Sequence, residues 1–206
     1  MKKYLVLEKR LERFKSVLEK RQKDLVVFVD NVKNEHNFSA IVRTCDAVGV
    51  LYLYYYHEEG KPAKINEGIT LGAHKWLFIE PVEDKLSKLK EFKEKGFQII
   101  ATWISEDSTD FRSVDYTKPT VIVVGNELRG VSPEVAEFAD KRIVIPMFGM
   151  VQSLNVSVAT GVILYEAQKQ RYEKGMYNKP SLTQEEIERI LEKWAYEDVI
   201  RERKRS

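Results

Sequence analysis

Six short apolar runs alternate with helical patterns along the chain, and this alternation limits the possible folds more than any other feature. The run LVVFV (25–29) is wholly apolar, and TVIVVG (120–125) is nearly so. Strands of this kind are buried on both faces, which is typical of parallel sheets covered by helices. We therefore predict an α/β fold in which a parallel sheet carries helices on both faces.

The predicted elements follow the apolar periodicity and the residues that cap helices. We expect strands at 25–29, 50–56, 76–79, 98–104, 120–125 and 142–146. Helices are predicted over 2–23, 38–48, 84–95 and 153–172, from Ser132-Pro133, and after Thr183, where TQEE forms a capping box. This gives three parts: a basic N-terminal helical extension (1–23), a central sheet domain (24–175) and a C-terminal helical extension (176–206).

Composition excludes several classes of protein. Hydrophobic residues make up 43% of the 206, enough for a real core and too many for a disordered chain. The single cysteine, Cys45, excludes a disulfide scaffold and a Cys-rich zinc module. No apolar run reaches the ~18 residues of a membrane span, and the N-terminus lacks the apolar region of a signal peptide. We expect a cytoplasmic protein that is not associated with membranes.

Positive charge is concentrated at the two ends of the chain. Residues 1–23 contain nine Lys/Arg and three Glu, and residues 201–206 contain four Lys/Arg and one Glu. Since the whole chain carries +2, residues 24–200 carry −7. Basic ends on an acidic body suggest arms that meet a polyanion, although a solvated helix face would have the same composition.

Several chemistries lack the residues they require. The sequence has no G-x-G-x-x-G and no G-x-S-x-G, so the common dinucleotide fingerprint and the nucleophile elbow are absent. GNELRG (125–130) has the glycine spacing of a phosphate loop but lacks its lysine. The three histidines have no metal-ligand spacing, so we expect no metal.

Ligands of parallel sheets bind at the carboxyl ends of strands, and three polar segments follow or flank predicted strands. In NEHNFSAIVRTCDAVG (34–49), Asn37 lies at a helix start and Arg43 follows six residues later, with small residues at i−4 and i+4. An ordinary helix cap and a surface arginine are the alternative. In GNELRG, two glycines permit close backbone approach and Glu127 can orient a hydroxyl, or the segment is simply a tight turn.

The third segment, PMFGMVQSLNVSVATG (146–161), combines a bent loop with a helix start. Met147, Phe148, Met150 and Val151 form an apolar wall of the kind that suits a purine ring. Ser153 and Asn155 lie near the helix N-terminus, whose first N–H groups lack partners and can hold a ligand. A loop before an ordinary core helix with a serine cap is the alternative.

In order and spacing, NFSAIVRTCDAVGV, VVGNELRGVS and IPMFGMVQSLNVSVATGVILYEA resemble the three signature motifs of the SPOUT superfamily. The likeness is to its TrmH group of tRNA and rRNA ribose 2′-O-methyltransferases and covers about residues 25–172. The basic first helix, the QRYEKG exit and the last helix are similar to those of members that methylate guanosine 18 of tRNA.

The resemblance implies a deep trefoil knot in the C-terminal half, a homodimer, tRNA as partner and S-adenosylmethionine as methyl donor. It assigns Arg43 of one subunit to a position near the cofactor of the other. It places Thr102, Gly125, Ile145 and Leu154 at the cofactor. By the same resemblance, Asn37, Arg43, Glu127, Ser153 and Asn155 form the catalytic cluster, and Arg10, Arg13, His36 and Arg171 contact RNA.

These residue types suit the implied chemistry. Methyl transfer from a sulfonium to a ribose oxygen needs in-line alignment but no acid or metal, because the leaving thioether is neutral. Since arginine stays protonated, we expect Arg43 to clamp the neighbouring phosphate and stabilise a developing alkoxide. Ribosomal RNA as substrate, or an RNA-binding module without chemistry, remain the alternatives. The short stretch before residue 25 favours tRNA over ribosomal RNA as the substrate.

Overall fold

One parallel sheet forms the centre of the molecule. A computed structural model describes residues 6–126 and 130–205, and within them all six strand pairings are parallel. The strand order is β3-β2-β1-β6-β4-β7-β5. The strands are β1 Leu25–Asp30, β2 Tyr52–Tyr56, β3 Phe78–Pro81, β4 Gln98–Thr102, β5 Thr109–Asp110, β6 Thr120–Val124 and β7 Lys141–Val144.

The described residues also form seven helices and two 3₁₀ turns. The helices are α1 Glu8–Leu18, α2 Glu35–Val48, α3 Glu67–Thr70, α4 Lys85–Glu94, α5 Pro133–Phe138, α6 Val156–Glu173 and α7 Gln184–Arg205. The 3₁₀ turns are Ala73–Trp76 and Phe111–Ser113. No helix within the described ranges has both the length and the apolar character needed to cross a bilayer.

Alternate residues of each strand face opposite helical layers. In β1, Leu25, Val27 and Val29 belong to the core shared with α2 and α6. Val26 and Phe28 belong to the core shared with α4 and α5. All six residues of β1 are buried, as the uninterrupted apolar run predicts. The predicted α/β class and the two-sided cover of the sheet are confirmed.

The two terminal helices pack against each other beside the outer strands β2 and β3. Phe14 and Leu18 of α1 share a buried cluster with Ile190, Leu191 and Trp194 of α7. Charge pairs lie in the same region, since Arg10 binds Asp198 at 3.0 Å and Lys23 binds Glu186 at 3.1 Å. Part of the positive charge at the N-terminus is therefore compensated within the fold.

Local hydrogen bonds account for the helix boundaries that differ from prediction. The second helix starts at Glu35, three residues before the predicted start, because the Asn34 side chain accepts from the Asn37 N–H. The first helix spans only Glu8–Leu18 of the predicted 2–23, and residues 1–5 lie outside the described residues. The two-residue strand β5 and the single-turn helix α3 were not predicted, because elements of this length have no apolar periodicity.

The capping box at the start of α7 is confirmed. The Thr183 N–H donates to Glu186 Oε2 at 2.7 Å, and the Glu186 N–H donates to Thr183 Oγ1 at 3.2 Å. Leu182 and Ile187, on either side of the box, are both buried in the cluster with α1. The box and this apolar pair fix the entry of the chain into α7.

Arg171 corrects one sequence-based prediction. Its side chain on α6 is 0% exposed, and its guanidinium donates to Asp24 Oδ1 at 2.6 Å and to the Tyr116 carbonyl at 2.9 Å. It also donates to Gln22 Oε1 and to the carbonyls of Asp24 and Lys118. In the structure, Arg171 is a buried residue that joins α6 to other segments of the chain, and it is not an RNA contact.

We expect Arg171→Met to lower the free energy of unfolding by about 3 kcal/mol or more. The substitution leaves several buried acceptors unpaired, and breaking a buried ion pair from one side is costly. Lys169→Met, at an exposed position of the same helix, is the matched control. Equal denaturation midpoints for the two variants in urea would contradict a structural role for Arg171.

Candidate functional site

A cavity opens at the carboxyl ends of three neighbouring strands. Because β6, β4 and β7 are adjacent in the sheet, the segments that follow them meet at one edge. Thr102, Gly125, Ile145 and Leu154, the four predicted cofactor residues, all line this cavity, as does Ser153. The remaining lining residues are Trp103, Ile104, Val124, Asn126, Gly130, Ile143, Val144, Met147, Gln152, Val156, Ala159 and Ile163.

Backbone hydrogen bonds join the segments that form the cavity. The Trp103 N–H donates to the Ile143 carbonyl at 3.1 Å, which ties β4 to β7. The Val131 N–H donates to the Thr102 carbonyl at 3.1 Å. These bonds place backbone groups of three segments around one space, so a ligand there would meet main-chain donors and acceptors from each of them.

The two glycines of GNELRG serve chain packing and not an open ligand cradle. A Cβ at Gly125 would lie 2.3 Å from the Gly130 carbonyl oxygen. A Cβ at Gly130, where φ is +82°, would lie 2.3 Å from the Thr102 carbonyl oxygen. The space beside both α-carbons is therefore filled by the chain itself. Both residues border the cavity, so the prediction that their backbone closely approaches a ligand stays a prediction.

The apolar wall of the cavity differs from the predicted one. Met147 lines the cavity, but Phe148 and Met150 are 95% and 99% exposed, and Val151 is also exposed. The apolar lining comes instead from Ile104, Ile145, Leu154 and Ile163. Residues 148–151 project into solvent because the loop bends away from the sheet, a course that a residue count along the sequence does not reveal.

Asn37 and Asn155 meet at the ends of two helices. Asn155 caps α6, since its Oδ1 accepts from the Ser157 N–H at 2.9 Å. Its Nδ2 donates to Asn37 Oδ1 at 3.0 Å, although 118 positions separate the two residues. Asn34, and not Asn37, caps α2, and Asn155, and not Ser153, caps α6. The alternative interpretation, in which Asn37 and a serine cap these helices, is therefore wrong on both caps. The two helix N-termini lie together next to the cavity-lining residue Ser153.

Arg43 lies on the exposed side of α2 and does not line the cavity of its own chain. Its Nη1 donates to the Ile69 carbonyl in α3 at 3.3 Å. Ser39, one turn earlier, is buried and accepts from the Asn66 N–H at 2.8 Å. The segment around α3 therefore covers the small residue at i−4, while Arg43 itself stays exposed.

The other predicted site residues fall into two groups. Glu127 lies outside the described residues. Arg10, Arg13 and His36 are exposed, Arg10 and Arg13 on α1 and His36 in the first turn of α2 beside Asn37. The Arg10 guanidinium binds Asp198 and lies over the Phe14 ring.

Asp30 and Lys85 lie beside the site and were missed by sequence reasoning. Asp30 is the last residue of β1, and its buried carboxylate accepts from the N–H and hydroxyl of Ser132, both at 2.7 Å. Burial acts to lower the pKa of Lys85, but Glu134 and Asp30 raise it above its usual value. The hydrogen bond from Lys85 holds the pKa of Glu134 below its usual value. A single aspartate at the end of an apolar strand was the available signal.

We expect Gly125→Ala to lower the free energy of unfolding by about 1–3 kcal/mol, since its Cβ would overlap the Gly130 backbone. Gly149→Ala is the matched control, because no atom lies within 4 Å of its added Cβ. Its effect should stay within about 0.5 kcal/mol. Thermal unfolding of both variants measures the difference, and equal shifts would contradict the proposed backbone contact.

Two family models match the chain. Residues 24–165 match the SpoU rRNA Methylase family, and residues 169–206 match the model described as SpoU, rRNA methylase, C-terminal. A curated tRNA (guanosine(18)-2′-O)-methyltransferase of Aquifex aeolicus is 77% identical over 203 residues, which cover 98% of this chain and 96% of that protein.

Solved structures give the same result. The crystal structure of the A. aeolicus TrmH/SpoU tRNA modifying enzyme matches with a TM-score of 0.91 and 77% identity, covering 95% of this chain and 99% of the other. An AdoMet-bound rRNA methyltransferase from Sinorhizobium meliloti matches with a TM-score of 0.58 and 25% identity, covering 76% of this chain and 59% of the other.

Proposed function

The chain belongs to the SpoU rRNA methylase family, and we propose that it methylates the ribose 2′-oxygen of guanosine 18 in tRNA. The membership predicted from the three motifs is confirmed. The observation that carries the proposal is the 77% identity over nearly the whole chain with an enzyme of that activity. The cavity at the ends of β4, β6 and β7 supports it, because the residues of two of the three motifs line that cavity.

The cavity suits S-adenosylmethionine as methyl donor. Its walls are mainly apolar side chains, and Thr102, Gly125 and Ile145 bring main-chain groups to it. This mixture of an apolar slot and convergent polar groups fits an adenosyl group, which offers a flat ring and several hydrogen-bonding edges. Thr102, Gly125, Ile145 and Leu154 would hold it. The group supplies an activated methyl for transfer to oxygen. In the described ranges, no three metal-ligating side chains gather to hold an ion.

The chain supplies alignment and electrostatic stabilisation. Two helix N-termini meet at Asn37 and Asn155, and such ends favour negative charge nearby. We propose that the ribose is positioned by Asn37, Ser153 and Asn155. Arg43 clamps the adjacent phosphate and stabilises the negative charge that develops on the 2′-oxygen. Glu127 completes the cluster as a hydroxyl-orienting group. All these groups act by holding the nucleophilic oxygen in line for displacement.

A homodimer brings Arg43 to the cavity of the partner subunit. Arg43 does not line the cavity of its own chain, so a second copy is needed to complete the site. Exposed apolar residues support this assembly: Val158, Val162 and Tyr165 lie on one face of α6, and Phe148 and Met150 precede it. Exposed apolar clusters of this kind mark association surfaces.

The strand order supports a trefoil knot at the cavity. β7 lies between β4 and β5, although both precede it in the chain. The connection from β5 to β6 packs on the α6 side through Phe111, Val114 and Tyr116, while α5 packs on the opposite side. This arrangement supports a path in which the chain passes from α5 through β7 to α6 inside the loop formed by β4, β5 and β6.

Exposed basic groups outside the cavity would hold the RNA. Arg10, Arg13 and His36 are the proposed contacts, with α1 held in place by α7. Contacts of this kind position a polyanion without reading its sequence. Since the proposed substrate is tRNA, we place the enzyme in the cytoplasm.

The direct test is a reaction of the purified protein with S-adenosylmethionine and unmodified tRNA transcript. We expect one 2′-O-methyl group at guanosine 18, located by nuclease digestion and mass spectrometry. Transcripts in which guanosine 18 is replaced should accept none. Methylation of ribosomal RNA alone would support the rRNA alternative, and RNA binding without methyl transfer would support a module without chemistry.

A mixed dimer tests the shared site. A heterodimer of Arg43→Ala and Asn155→Ala subunits, purified with two tags, contains one site with both residues intact if Arg43 acts across the interface. We expect about half the wild-type kcat from it, because one of two equivalent sites is restored. Both homodimeric variants serve as controls and should be nearly inactive. A heterodimer as inactive as its parents would place Arg43 in its own chain's site.

A further inference from the structure

We propose that Asp30 is a positioning residue for the cofactor cavity, where it holds Gly130 and Val131 in place through Ser132. The inference rests on the proposed function and extends it to a residue outside the three motifs. Asp30 does not line the cavity within the described residues. It acts through the backbone that follows β6.

The Asp30 carboxylate is aimed at one residue far along the chain. Its side chain is 1% exposed, and Oδ2 accepts from both the backbone N–H and the hydroxyl of Ser132, 102 positions away. Such a carboxylate is costly to bury unless it is fully bonded. Two bonds to a single residue fix the place of that residue more tightly than one bond would.

The position of Ser132 determines the position of the adjacent cavity wall. The preceding residue, Val131, donates its N–H to the Thr102 carbonyl, and Gly130 lines the cavity. A shift of Ser132 would therefore move Gly130 against Thr102. The two residues are already close, since a Cβ added at Gly130 would lie 2.3 Å from the Thr102 carbonyl oxygen. The position of Ser132 and the shape of this wall are linked.

The Ser132 hydroxyl is used for this link and not for the helix that it begins. Ser132 occupies the N-cap position of α5, yet its side chain makes no capping hydrogen bond. A serine cap contributes about 1 kcal/mol to a helix. Here the hydroxyl donates to Asp30 instead, which favours a role in placing the loop over a role in stabilising α5.

Lys85 on α4 completes the cluster. Its Nζ lies 2.8 Å from Ser132 Oγ, 3.4 Å from Asp30 Oδ1 and 2.6 Å from Glu134 Oε1. The ammonium balances the buried carboxylate and binds the same serine. Strand β1, helix α4 and the start of α5 are thereby joined at the edge of the cavity.

The test measures cofactor affinity apart from catalysis. Isothermal titration of S-adenosylmethionine into the full-length Asp30→Ala variant should give a Kd about tenfold above wild type, which equals about 1.4 kcal/mol. Asp30→Asn keeps an oxygen acceptor for Ser132 and should restore part of the affinity. The KM for tRNA should stay unchanged in both variants.

Asp24→Ala is the matched control. Asp24 precedes the same strand at its amino end, where it pairs with the buried Arg171. This variant should lose stability but keep the wild-type Kd, measured at a temperature where all variants are folded. A Kd raised equally by Asp24→Ala and Asp30→Ala would overturn the proposal, because general loosening would then explain both. An unchanged Kd in Asp30→Ala would overturn it as well.

Hydrogen exchange separates this inference from the proposed function. The amides of Val131 and Ser132 should exchange faster in Asp30→Ala than in Asp24→Ala, whether or not the cofactor is S-adenosylmethionine. If wild-type protein failed to bind S-adenosylmethionine, the proposed function would fail and the exchange result would still decide whether Asp30 holds the wall. Unchanged exchange would overturn the role of Asp30.

Discussion

The parallel pairing of β6, β4 and β7 is the constraint on which the site depends. Parallel strands end at the same edge, so three segments from distant parts of the sequence meet there without any contact between their side chains being required. The register of β4 against β6, with Ala101 beside Val123, brings Thr102 and Gly125 to within one residue of each other at the end of the two strands. Any slip of this pairing would separate the walls of the cavity.

Buried charged side chains also hold the chain together around the sheet, and each acts at a different position. Arg171 fastens the amino ends, where it joins α6 to the start of β1 and to the segment before β6. Arg21 joins the segment that follows α1 to the end of α2 through Asp46. Asp30 acts at the carboxyl end. Within the described residues, the cavity is lined mainly by apolar and main-chain groups, and no charged side chain lines it.

Much of this fold follows from local patterns that the sequence contains. Wholly apolar strands predict two-sided burial, and the family resemblance assigns Thr102, Ile145 and Leu154 to one site. The exposure of the loop at Phe148 and Met150 could not be predicted, since it depends on the course of the loop in three dimensions and not on its local composition. The burial of Arg171 could not be predicted either. A basic residue near a helix end resembles an RNA contact, and the acceptors that bury Arg171 belong to four residues distant in the sequence.

The proposed cofactor site is formed by three separate segments and completed by a second subunit. A crystal structure of the protein with S-adenosylmethionine measures this most directly. The account predicts the adenosyl group between Thr102, Ile145 and Leu154, with Arg43 of the partner subunit facing its methyl group. A cofactor bound elsewhere, or a dimer that leaves both copies of Arg43 far from the cavities, would contradict it.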